Sequence, residues 1–139
     1  MSESRSILRV KGSRAWAPRP AISPKTRRHN GEWVVVSNGS EGCYGGWEVL
    51  HPAPKAGEWV RFSAKARWQD LERGYDSVNV ALTWLDERDQ MVGWEPILPQ
   101  KFRDGHVLYE GRARVSEGAR VAAIKLLMAW SQRGEIRWS

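Results

Sequence analysis

The chain has 139 residues, the size of one ordinary domain, and its 41% hydrophobic and 27% charged residues make a globular composition. No apolar run approaches the roughly 20 residues of a membrane helix, and no secretory leader is readable at the N-terminus. The only cysteine, Cys43, excludes an internal disulfide framework and a zinc site built from cysteines.

The net charge of +6 is unevenly placed. Residues 1–31 carry eight basic side chains against Glu3 alone, a net +7, whereas the remaining 108 residues carry fourteen basic and fifteen acidic groups, a net −1. A dedicated nucleic-acid domain would carry its charge on the folded body among exposed aromatics, so nucleic acid is not the expected partner. The basic arm is expected to be a solvated lead-in segment. Its less favoured use is binding of phosphates or acidic polymers.

In chain order, Ile7–Val10 reads as a short strand. Pro18, Pro20 and Pro24 exclude helix and central strand, so APRPAISPK is expected to run extended along the outside. Trp33–Ser37 is a β-branched strand ending at the Asn38-Gly39 turn. A glycine-rich loop then leads into a strand at Trp47–Leu50, followed by the proline loop HPAPKAG. Glu58–Trp68 alternates strictly, with Val60, Phe62, Ala64, Ala66 and Trp68 inward. Asp76–Leu85 repeats the pattern with Val78, Val80, Leu82 and Trp84 inward. The turn at 86–90 precedes a short strand near Met91–Trp94, which Pro96 and Pro99 are expected to end. His106–Val115 is a further strand. Ala119–Trp130 is rich in helix formers, yet its neighbours are strands and turns, so a strand is expected there, with Trp130 on the core face. Ser131–Gly134 reads as a hairpin turn from which Glu135–Trp138 pairs back. The sum is an all-β antiparallel sandwich over 32–139, preceded by the lead-in 1–31 and expected to be part of a larger polypeptide.

The order Gly46-Trp47, AGEWVRFSAKAR, VNVALTWLDERDQ, VSEGARVAAIKLLM and GEIRWS resembles a jelly-roll carbohydrate-binding module of the galactose-binding-domain-like superfamily. Members commonly show a G-x-x-Y-x-F-S-A strand. Here Gly57, Val60, Phe62, Ser63 and Ala64 correspond, with valine in place of tyrosine. The strand ending in an Asp turn is matched at Asp86, the small-residue lead-in at Glu117-Gly118-Ala119, and the closing strand at Gly134, Ile136 and Trp138, without the usual final aspartate. The resemblance implies a non-catalytic domain that binds carbohydrate and is joined to a catalytic domain of the same polypeptide. The APRPAISPK lead-in is also similar to what precedes such domains in some carbon–nitrogen hydrolases. An accessory domain of a glycoside or carbon–nitrogen hydrolase, without sugar affinity, is therefore the alternative. A sugar-binding module would suit an exported protein.

Sugar recognition needs flat apolar rings for pyranose C–H faces and planar polar groups for vicinal hydroxyls. Of the nine tryptophans, Trp68, Trp84 and Trp130 fall on expected core faces. Tyr44, Trp47 and Trp94, in or beside loops, and Trp59, on a polar face, are the candidate platforms, with Trp47 equally suited to plug one end of the sandwich. Arg61, Lys65, Asn79 and Thr83 are candidate polar partners, on the outward faces of two strands expected to be neighbours. A structural calcium is an option that the resemblance raises, with Asn38–Gly42 as partial ligands. Catalysis has little support. Cys43 with His51 carries no signature, the three histidines lack metal spacing, and Asp86 with Asp89 reads as a solvated turn.

Overall fold

The computed structural model describes residues 12–139, so the expected strand at Ile7–Val10 lies outside the described residues. Two antiparallel sheets face each other. The five-stranded sheet has the order β1 (Gly12–Trp16), β4 (Tyr44–Pro52), β10 (Val121–Ala129), β6 (Val78–Leu85), β7 (Met91–Ile97). The six-stranded sheet has the order β2 (Lys25–His29), β3 (Glu32–Val36), β11 (Glu135–Trp138), β5 (Trp59–Gln69), β9 (His106–Arg114), β8 (Pro99–Arg103). Two short 3-10 segments, Pro20–Ile22 and Gly74–Ser77, complete the regular structure of these residues.

Period-2 alternation decides the core. Val78, Val80, Leu82 and Trp84 of β6 meet Ala64 and Ala66 of β5, Val107 and Tyr109 of β9, and Ile136 and Trp138 of β11. Two polar handles tie the sheets together across this core. The Tyr109 hydroxyl donates to the Val78 carbonyl at 2.8 Å, and the Trp47 indole N–H donates to the Val34 carbonyl at 3.1 Å. Burial holds the Tyr109 phenol protonated well above its usual range.

Ala119–Trp130 does form a strand, β10, at the centre of its sheet between β4 and β6. Several expectations are corrected. Strands β5 and β6 are not neighbours, because the connection through Gly74–Ser77 carries the chain from one sheet to the other. Likewise β11 does not pair back on β10. The 131–134 turn crosses the sandwich, and β11 inserts between β3 and β5. Pro96 does not end β7, which runs to Ile97 along a sheet edge where a missing N–H costs no ladder bond. A further edge strand, β8, starts at Pro99. Residues 12–31 supply an edge strand to each sheet, β1 and β2, joined by the proline-rich stretch.

Trp130 is a further correction. It is 56% exposed rather than in the core, because its φ of 53° breaks the alternation after Ala129. Its backbone N–H donates to the Cys43 carbonyl at 2.6 Å, which fixes the turn.

Candidate functional site

The outer face of the five-stranded sheet is built from rows that register pairing defines. One row runs Trp16, Gly46, Leu127, Asn79, the next Arg14, Glu48, Lys125, Ala81, Pro96, and the third Gly12, Leu50, Ala123, Thr83, Trp94. Small residues occupy much of the centre and bulky ones the edge strands. A Cβ on Gly46 would overlap the Leu126 carbonyl oxygen, so this position must stay bare.

An ion network crosses the face. Glu48 is 2% exposed, and its Oε1 accepts from Arg14 Nε at 2.6 Å. The other two guanidinium nitrogens of Arg14 donate to Asp89 at 2.9 and 3.1 Å, a bidentate pair. Arg14 lies on edge strand β1, while Asp89 belongs to the β6–β7 turn. That turn therefore folds back over the outer face as a strap. The buried cluster Leu50, Leu85, Val121 and Ala123 lies on the covered part. The Asp86 side chain shapes the strap by accepting from the Arg88 and Gln90 backbone N–H groups.

The uncovered end carries aromatic rings. The Tyr44 ring sits 5.4 Å from that of Trp130 and 6.3 Å, edge-on, from that of Trp16. Lys125 Nζ lies 3.8 Å from the Trp16 ring centroid. Burial pulls the Lys125 ammonium below its ordinary range, with Glu48 opposing and Arg14 adding to that shift. At the opposite edge Trp94 is 56% exposed and stands directly across from Thr83, whose buried hydroxyl lacks a hydrogen-bond partner among the described residues.

The sequence candidates thus divide over three surfaces. Tyr44, Asn79, Thr83 and Trp94 share the outer face of the five-stranded sheet. Trp59, Arg61 and Lys65 lie on the outer face of the opposite sheet. Trp47 points inward and packs against the core. Trp16, Trp130, Arg14 and Lys125 are not among the sequence candidates. Glu48, which flanks the candidate Trp47, is legible in sequence as a lone acid inside the apolar run YGGWEVL. Trp130 had none, because only its positive φ turns it out.

The fold keeps Cys43 and His51 apart. Cys43 is buried in the core, and His51 lies exposed eight residues further along an extended strand, roughly 27 Å away at strand rise. Among the described residues no group of three or more His, Cys, Asp or Glu side chains is placed to hold a metal ion. In Asn38–Gly42, the Asn38 amide donates to the Ser23 carbonyl and its oxygen accepts from the Ser40 N–H.

No protein-family model matches the chain, and no curated protein does. Solved structures do. The enzymatically active domain of bacteriophage CBA120 tailspike protein 4 superposes with a TM-score of 0.55 at 11% identity, over 92% of this chain and 18% of that one. The CBM22-1–GH10 modules of Clostridium thermocellum xylanase 10B, complexed with xylohexaose, give 0.54 at 12% identity, over 92% of this chain and 26% of that one. A family 4 carbohydrate-binding module gives 0.50 at 10% identity, over 93% of this chain and 75% of that one. The chain thus spans about a fifth to a quarter of the first two. At such identities the likeness speaks for architecture: this chain is a jelly-roll β-sandwich similar in fold to carbohydrate-binding modules.

Proposed function

We propose that the chain is a non-catalytic carbohydrate-binding module that takes a poly- or oligosaccharide on the outer face of its five-stranded sheet. Trp130 carries the reading. A bulky residue in the left-handed region costs about 1 kcal/mol, and here that strain holds an indole in solvent. Local strain of this kind, held by the structure around it, concentrates at binding sites. Trp130 and Trp94 serve as platforms for pyranose C–H faces, and Tyr44 with Trp16 backs Trp130. Asn79 and Lys125 supply hydrogen bonds to hydroxyls, whereas the Thr83 hydroxyl is buried beneath the face. The fold likeness to sugar-binding modules supports the same reading.

Affinity electrophoresis through neutral glucan, xylan and mannan gels tests it. Retardation that survives high salt, and that Trp130→Ala abolishes without lowering Tm, is expected. The alternative is an accessory domain of a larger hydrolase, favoured by the small share of the tailspike and xylanase chains that this one spans. It predicts no retardation by any polysaccharide.

A further inference from the structure

The near-neutral body of the chain hides a separation of charge. On the outer face of the six-stranded sheet, register places Arg61 directly opposite Arg112, and Arg114 opposite Trp59. Lys65 follows two pairs along β5, beside Leu108, and β8 adds Lys101 and Arg103 to the same face. Six cations therefore share one continuous surface on three adjacent strands, with Glu110, opposite Ser63, as the one acid among those strand pairs. None of the six makes a salt bridge among the described residues. The other half of the sheet behaves differently, since Arg67 and Arg137 pair with Glu32, and Arg27 with Glu135.

Like charges directly opposed across a strand pair are destabilising. The Arg61–Arg112 pairing is thus a standing cost, only partly relieved by Arg112 lying 5.1 Å from the Trp59 ring centroid. An anionic partner would remove it. Three of these cations, Lys65, Lys101 and Arg103, help Phe102, His106 and Leu108 to line an open groove of about 450 Å³.

We propose that this face, remote from the aromatic end of the other sheet, binds an acidic polysaccharide carrying carboxylate or sulfate groups. Same-face side chains along a strand are roughly 6.7 Å apart, so the cations form a spaced array suited to a polymer with regularly spaced anions. Nucleic acid fits less well. Single strands need free ring faces for base stacking, and each exposed ring here has one face already occupied, Trp59 by Arg112 and Phe102 by Tyr75 at 5.0 Å. A duplex is read by an element entering a groove, which the broad face of a sheet does not offer.

The test is a titration of the full chain with polygalacturonate, dextran sulfate, neutral dextran and oligothymidylate at several salt concentrations. Binding to the two acidic polysaccharides that falls steeply with salt is expected. The variant Arg61→Gln/Lys65→Gln/Arg112→Gln should lose tenfold or more in affinity and two to three in the log–log salt slope, by roughly one per cation. Lys101→Gln/Arg103→Gln is a second variant that leaves the central pair intact. Unchanged affinity in both variants would overturn the proposal by placing the charge contacts elsewhere, residues 1–31 included. Tighter binding of oligothymidylate than of polygalacturonate at equal salt would overturn it in favour of nucleic acid. Salt-resistant retardation by neutral glycans, measured in parallel, reports on the other sheet and so fails or succeeds independently.

Discussion

Arg14 grips Asp89 by two hydrogen bonds across the outer face of the five-stranded sheet, while its third nitrogen holds the buried Glu48 carboxylate. One guanidinium therefore does two unequal jobs. The Asp89 contact is exposed and screened by water, whereas the Glu48 contact neutralises a charge withdrawn from it.

The two halves of this network should separate in equilibrium unfolding. Asp89→Ala is expected to cost no more than about 1 kcal/mol, less at high salt. Arg14→Ala leaves Glu48 without its paired cation and should cost about 3 kcal/mol at pH 7. Urea melts of both variants at pH 7, in low and in high salt, measure it. Equal costs for the two variants would show that the strap, not the buried charge, carries the energy.

Lys125 gives an alkaline signature. Burial holds its folded pKa below the ordinary 10.5, so between the two values the unfolded chain binds more protons than the folded one. Stability contributed at this site must then rise with pH through the folded pKa and level off above 10.5. Lys125→Met should flatten that rise and leave neutral-pH stability equal or slightly higher. Tm against pH for the two proteins is the measurement, and parallel curves would argue against a desolvated ammonium.

Glu32 gives the acid counterpart. The hydrogen bond from Arg67, with the charge of Arg137 behind it, holds its carboxyl below the ordinary 4.5. Its stabilisation is present above the unfolded value and is lost as pH falls through the folded one. Glu32→Gln should therefore destabilise mildly at neutral pH and converge with the parent protein in acid. A Tm difference that persists at low pH would assign the effect to packing.

Strand positions were legible because alternation is local: Val60 through Trp68 and Val78 through Trp84 declare their inner faces in sequence. Alternation says which side faces a core but not which sheet a strand joins. Strands β5 and β6 carry the same pattern and lie in opposite layers, which is why Arg61 and Lys65 part from Asn79 and Thr83. The crossing before β11 hides in the same way, in a turn that reads as a hairpin. Gly134 marks it, with φ of 94° and the Asp70 carbonyl oxygen 2.5 Å from where a Cβ would stand. The network at Glu48 needed the register of β1 on β4, since 34 residues separate the partners.

Trp47 and Trp94 give the sharpest contrast between fold and function. Both are tryptophans in strands of one sheet, and both read as platforms in the sequence. Trp47 points into the sandwich, packs on the core and spends its indole N–H on Val34. Trp47→Ala should cost about 3 kcal/mol or more through the lost packing and the orphaned carbonyl. Trp94 stands exposed across from Thr83, so Trp94→Ala should change stability by no more than about 0.5 kcal/mol. If the outer face takes sugar, retardation in a neutral-polysaccharide gel should weaken in Trp94→Ala at unchanged Tm. Trp47→Ala, assayed well below its lowered Tm, should still be retarded. Retardation untouched in Trp94→Ala would confine the platform to the Trp130 end of the sheet.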